Sequence, residues 1–197
     1  MRAIEAIRAE RVVAILRHVP DAPRLVAALR AGGIRIVEIT IDSDGALDTI
    51  ARLRCDNELV VLAGTVRTAA EVDDAAAAGA EGCVSPALVP DVIDRCKSVR
   101  LPAIAGALTP SEIETAWRLG AEMVKLFPAS LGGPTYVRDV VAPLADVPLL
   151  ATGGVDAGNA AEFLRAGAAA VGVGSALVGA ADPTAAARDL VGSARDA

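Results

Sequence analysis

A chain of 197 residues that is 53% hydrophobic and only 2% aromatic can bury one sizeable core of small aliphatic side chains, and its net charge of −6 argues against general nucleic-acid binding. One histidine, His18, is too few for a zinc or other His-rich metal site and disfavours a His-dependent triad, so no metal and no cofactor is expected. No apolar run reaches the ~18 residues of a membrane helix, the charged start Met1-Arg2-Ala3-Ile4-Glu5 does not read as a signal peptide, and Cys55, Cys83 and Cys96, without a CxxC pair, read as small buried residues of a cytoplasmic protein.

In chain order, short apolar runs alternate with segments of helical period. Strands are predicted at 12–16, 34–39, 59–63, 82–84, 103–105, 123–126, 148–151 and 169–173. Helices are predicted at 22–31, 45–54, 69–78, 90–96, 110–119 and 157–166. Thr109-Pro110-Ser111-Glu112 sets a capping residue before a proline in a first turn, and Gly32, Gly79, Gly120 and Gly167 stand where helices end. The stretch 130–136 reads as a Gly/Pro-rich loop too short to link domains, and 182–197 as a closing helix with Pro183 near its start. Continuous apolar strands between helices imply a parallel sheet covered on both faces. The helix-Gly-strand pattern recurs every second unit. Eight units with that periodicity favour a closed (β/α)8 TIM barrel, one compact α/β domain over residues 1–197, rather than an open sheet.

Of the 19 basic residues only Lys97 and Lys125 are lysines, and Lys125 lies inside the apolar run Met123-Val124-Lys125-Leu126-Phe127-Pro128. Arginine keeps its proton, whereas a partly buried lysine can give it up and attack a carbonyl carbon to form a Schiff base. The alternative is a lysine at a strand end that reaches out to water. Side chains alternate along a strand. An inward Lys125 brings Met123 with it and turns Val124 and Leu126 to the helices. An inward Glu38 brings Ile36 and Ile34. Acid and amine would then meet at the C-terminal ends of the strands, where barrels keep their chemistry. A structural buried ion pair is the competing reading, and such pairs are poor sources of stability.

Two glycine-rich turns, Thr152-Gly153-Gly154-Val155 after strand 7 and Gly172-Val173-Gly174-Ser175 after strand 8, occupy the positions where barrels commonly bind phosphate. Glycine lets backbone N–H groups approach an oxyanion, and Ser175 adds a hydroxyl donor. Either turn alone could merely permit a tight connection.

Glu38-Ile39-Thr40, Ala63-Gly64-Thr65-Val66, Val84-Ser85-Pro86, Leu108-Thr109-Pro110-Ser111-Glu112, Val124-Lys125-Leu126-Phe127-Pro128-Ala129, Thr152-Gly153-Gly154-Val155 and Val171-Gly172-Val173-Gly174-Ser175-Ala176-Leu177 follow one another in an order that resembles the 2-keto-3-deoxy-6-phosphogluconate / 4-hydroxy-2-oxoglutarate aldolases. These are class I, Schiff-base lyases of carbohydrate metabolism. The resemblance covers roughly 12–179. It implies a barrel usually assembled as a homotrimer, with Lys125 as the Schiff-base lysine and Glu38 as the acid/base. It implies that Thr65 meets the pyruvoyl end and that Gly153-Gly154 and Gly174-Ser175 take the phosphate. Phe127 and Thr152 complete the candidate substrate-binding set.

The chain departs from the family in one charged position. Part of the family has arginine where this chain has Asp42, as a ligand for the substrate's anionic end. Arg17, at the end of strand 1, could supply the missing charge, or could instead pair with Asp42 or Glu38. Leu62, Ala105 and Ala151 are milder changes. These departures bear on substrate range more than on reaction type. The expected activity is cleavage of 2-keto-3-deoxy-6-phosphogluconate to pyruvate and glyceraldehyde 3-phosphate. The alternatives are an aldolase for 4-hydroxy-2-oxoglutarate or the galactonate epimer and, in another class, a phosphate-barrel isomerase or epimerase. The partner is a small keto acid rather than nucleic acid or membrane.

Overall fold

The computed structural model describes residues 2–197. Eight parallel strands close on themselves in chain order: β1 (Val12–Leu16), β2 (Ile36–Thr40), β3 (Val60–Gly64), β4 (Cys83–Val84), β5 (Ala103–Ala107), β6 (Met123–Leu126), β7 (Leu149–Thr152) and β8 (Ala170–Val173). Closure is made by β8 on β1, in the register Val12↔Val171, Val13↔Gly172 and Ala14↔Val173. The helices, most of them in an outer layer, are α1 (Arg2–Glu10), α2 (Ala22–Ala31), α3 (Ala46–Leu53), α4 (Ala69–Ala78), α5 (Pro90–Val99), α6 (Pro110–Leu119), α7 (Gly133–Val141), α8 (Ala160–Arg165), α9 (Ser175–Val178) and α10 (Pro183–Arg195). The expected (β/α)8 architecture is therefore present. None of these helices is long and apolar enough to cross a membrane.

Alternation divides the apolar residues into two cores. Val13, Ile36, Val60, Leu62, Val84, Ile104, Met123 and Leu150 fill the barrel interior. Val124, Leu126 and their counterparts face out and pack with the helices, so the strand faces expected around Lys125 hold. Ile34 does not follow its expected face. β2 begins only at Ile36, and Ile34 belongs to the outer core, in the turn where its N–H bonds to Leu29 O at 3.1 Å.

Helix starts follow local chemistry. Thr68 with Glu71 and Thr109 with Glu112 form reciprocal capping boxes at α4 and α6. The N–H groups of Thr109 and Leu108 on the Glu112 carboxylate hold it below its ordinary pKa. Asp182 caps α10, the expected closing helix, ahead of Pro183.

Three further points differ from expectation. The stretch 130–136 is not a plain loop: a 3-10 turn at Ala129–Leu131 leads into α7, which begins at Gly133 with φ 63° and has Pro134 in its first turn. Glycine and proline here mark a helix start rather than its absence. α1 was not anticipated; its Ala3 and Ile7 join the interior cluster and plug the barrel's N-terminal end. Cys55 is exposed, whereas Cys83 and Cys96 are buried as expected, and all three are free thiols. The Cys96 thiol beside it, together with burial, pushes Cys83 above its ordinary pKa.

Candidate active site

Alternation on two opposite strands brings the acid and the amine together. Ile36 on β2 and Met123 on β6 face inward, so Glu38 and Lys125 do too. β2 and β6 lie four strands apart in the ring of eight, so the two side chains approach from facing walls. Lys125 Nζ donates to Glu38 Oε1 at 3.2 Å and stands 3.5 Å from Oε2. Glu38 is fully buried and Lys125 is 6% exposed. Their attraction must offset the hydration that both charges give up, which makes the pair a poor device for stability alone. The Phe127 ring centroid lies 5.7 Å from Nζ, within cation–π range.

The strand ends open into a cavity of about 730 Å³. Arg17, Thr65, Lys125, Phe127, Thr152, Gly153, Gly154, Gly174 and Ser175 all line it. Every expected site residue except Glu38 thus faces one space, and Glu38 lies off the wall, bonded to Lys125. A smaller cavity of about 230 Å³, lined by Arg54, Asp56 and Glu81 among others, lies by the segments that enter β3 and β4, away from these groups.

Arg17 is committed on both sides. Its Nη1 stands 3.3 Å from Asp42 Oδ2, and its Nη2 donates to Thr65 Oγ1 at 2.8 Å. Of the two pairings weighed for it, the one with Asp42 is formed and the one with Glu38 is not. Thr65 has φ 61°, an uncommon left-handed backbone for a β-branched residue. It is held there by the Arg17 bond and by the next N–H, from Val66 to Val84 O at 3.1 Å. Ser43 ties the neighbouring turns together: its hydroxyl accepts from the His18 N–H at 2.8 Å and is hydrogen-bonded to the buried Thr40 hydroxyl at 2.9 Å.

The β7 turn runs through two successive left-handed residues, Gly153 (φ 95°) and Gly154 (φ 73°). Asn159 closes it, donating from Nδ2 to Gly154 O at 2.9 Å and accepting from the Asp156 N–H at 3.0 Å. On the neighbouring strand β8, a Cβ at Gly172 would meet Thr152 Oγ1 at 2.4 Å, so glycine there is what gives Thr152 its space.

Sequence reasoning missed several members of this wall. His18, Arg67, Pro86, Val155 and Val178 also line the cavity. Arg67 and His18 each lie within two residues of a strand-end motif, and that proximity is the signal that could have found them. Ser43, which bonds the His18 N–H and the Thr40 hydroxyl, and Asn159, which bonds backbone groups, carry no such signal. Among the described residues no cluster of three or more His, Cys, Asp or Glu could hold a metal ion.

The chain as a whole is similar to known proteins. The family model for KDPG and KHG aldolase matches residues 3–188. A 2-dehydro-3-deoxy-phosphogluconate aldolase of Treponema pallidum is 40% identical over 164 residues, covering 82% of this chain and 78% of that protein. A 2-dehydro-3-deoxy-6-phosphogalactonate aldolase of Escherichia coli is 35% identical over 169 residues, covering 83% and 82%. The crystal structure of a KDPG aldolase from Legionella pneumophila, with pyruvate captured at low pH as a covalent carbinolamine intermediate, superposes with a TM-score of 0.81 at 27% identity, covering 97% of this chain and 96% of that one. With the family model spanning nearly all of its length, this chain belongs to the KDPG and KHG aldolase family.

Proposed function

We propose that this protein is a class I aldolase that cleaves 2-keto-3-deoxy-6-phosphogluconate to pyruvate and glyceraldehyde 3-phosphate, with Lys125 as the Schiff-base lysine. The observation that carries the reading is the buried Lys125–Glu38 pair at 3.2 Å, opening on the large cavity at the barrel mouth.

The chemistry runs through that pair. The unprotonated Nζ attacks the C2 carbonyl carbon of the keto acid. The carbonyl oxygen takes up a proton, and loss of water from the carbinolamine leaves an iminium. The C4 hydroxyl gives up its proton as the C3–C4 bond breaks. C4 becomes the carbonyl carbon of the aldehyde, and the electron pair of the broken bond becomes the C2=C3 enamine. Protonation of C3 restores the iminium, and water then releases pyruvate and the free amine. Glu38 takes and returns these protons. Because its carboxylate lies off the cavity wall, the proton of the C4 hydroxyl reaches it through water. Arg17 and Thr65 meet the carboxylate end. The phosphate sits on the backbone N–H groups of Gly153-Gly154 and Gly174 and on the Ser175 hydroxyl, with Thr152 and Phe127 lining the path between.

A second substrate reading rests on the phosphogalactonate relative at 35% identity, which makes the C4 epimer a candidate for the same site. We also propose a cytoplasmic homotrimer of one-domain subunits. Leu131, 71% exposed in the turn after β6 and outside the cavity lining, is a large apolar side chain that association would cover.

Trapping tests the central assignment. Borohydride with pyruvate is expected to leave one reduced adduct on Lys125, located by peptide mapping, and Lys125→Arg to fold yet lose cleavage. No adduct, or one on Lys97, would overturn the Schiff-base assignment. Cleavage rates on the gluconate and galactonate epimers, with and without phosphate, separate the substrate readings.

A further inference from the structure

We infer that Arg67 supplies the free positive charge that recognises the keto acid's carboxylate, an inference that rests on the aldolase reading of this site. The cavity wall carries five charged or titratable side chains: Arg17, His18, Asp42, Arg67 and Lys125. Lys125 is matched by Glu38, and Arg17 by Asp42. Arg67 is exposed, and among the described residues neither an ion pair nor a hydrogen bond engages its guanidinium. The nearest acid along the chain, Glu71, is turned onto the backbone, where its Oε2 accepts from the N–H groups of Arg67 at 2.5 Å and Thr68 at 3.0 Å.

Topology says which end of a substrate Arg67 faces. It follows β3, and β3 lies four strands from β7 in the closed ring. A keto acid joined at C2 to Lys125, with its phosphate on the turns after β7 and β8, directs its carboxylate towards the opposite wall. Thr65 and Arg67 stand there. A guanidinium can pair with both carboxylate oxygens at once, and charge-assisted bonds of that kind are about twice as strong as neutral ones. The base of Arg67 is already fixed by the Val66–Val84 bond and by the Thr68–Glu71 capping box. Little backbone freedom is then lost when an anion binds.

The experiment compares wild type with Arg67→Ala, Arg67→Lys and Arg67→Glu, reading half-saturation for pyruvate in borohydride inactivation and KM for phosphorylated and unphosphorylated keto acids. Arg67→Ala should raise all of these by one similar factor, about ten-fold or more, with kcat little changed. Arg67→Glu should raise them further, and Arg67→Lys should recover part of the loss. Unchanged pyruvate half-saturation in folded Arg67→Ala would overturn the inference. A rise confined to phosphorylated substrates would also overturn it, by assigning Arg67 to the distal anion. Failure of wild type itself to be trapped by pyruvate would instead strike the aldolase reading.

Discussion

The Cβ that Gly64 lacks would stand 2.2 Å from Oε1 of Glu38. The acid that pairs with Lys125 can occupy its position only because β3 ends in a residue without a side chain. Gly64→Ala should therefore push the Glu38 carboxylate away from Nζ or shift β3, at an overpacking cost of roughly 1–3 kcal/mol. We expect kcat to fall at least ten-fold, towards the ~10²–10⁴-fold that positioned acid–base catalysis supplies, while borohydride still traps pyruvate on Lys125. A variant with normal kcat would show that the carboxylate works from another position.

The Lys125–Glu38 pair makes separate predictions for turnover and stability. Glu38→Gln should still form the pyruvate imine, slowly, yet lose about 10²–10⁴-fold in turnover. Lys125→Ala leaves a fully buried carboxylate without its partner. Stranding such a charge typically costs about 3–5 kcal/mol, which for a domain of this size lowers Tm by roughly 2–4 °C per kcal/mol. The double variant Lys125→Ala/Glu38→Ala should regain part of that loss. Thermal denaturation of wild type, Lys125→Ala, Glu38→Ala and the double variant reads the coupling, and additive losses would mean that the two charges do not stabilise each other.

The inward set around this pair could be read from the sequence because strand alternation is a strict rule inside a closed barrel. Lys125 with Met123 and Glu38 with Ile36 follow from it, and the glycine turns after β7 and β8 announce themselves by composition. What escaped has a different physical character. Ile34 and Gly133 sit at element edges, where one residue's backbone decides the boundary. α1 precedes the first strand, outside the repeating strand–helix pattern, and its role as a plug depends on a barrel end that local periodicity does not reveal. Gly64 matters for an atom it does not have. The Arg17–Asp42 pairing is one of two that the sequence leaves open, and which of them forms depends on how Arg17 leans from the end of β1 across β2 to Thr65.

The phosphate end should be separable from the chemistry. Ser175 lines the cavity at the start of α9, beside the Gly174 backbone. Its hydroxyl is one neutral donor among backbone N–H groups, and a hydrogen bond to a charged group is worth about 1.5–3 kcal/mol. Ser175→Ala should raise KM for the phosphorylated keto acid by about ten-fold or more and leave KM for its unphosphorylated counterpart and for pyruvate unchanged. Equal losses on both substrates would remove Ser175 from the phosphate site.

Asp42 puts a negative charge on the wall that must receive an anion. Its carboxylate is 3.3 Å from Arg17 Nη1, and the side chains are 36% and 51% exposed. A pair this open to solvent is worth about 0.2–1 kcal/mol, so its loss should cost little Tm. The carboxylate nevertheless cancels the charge of Arg17 and repels any keto acid that approaches Thr65. Asp42→Asn keeps the shape and a hydrogen-bond acceptor for the guanidinium while removing that repulsion. We expect KM for pyruvate and for all keto acids to fall, by about 1.5–5-fold if the gain matches the strength of the exposed pair. The gain should be greatest at low ionic strength, because salt screens charges at an exposed wall. kcat should stay the same, since neither Lys125 nor Glu38 touches Asp42. A rise in KM would reverse the assignment. Asp42 would then be the group that holds Arg17 against Thr65 in its binding orientation, and the charge it costs the wall would be outweighed by the order it imposes.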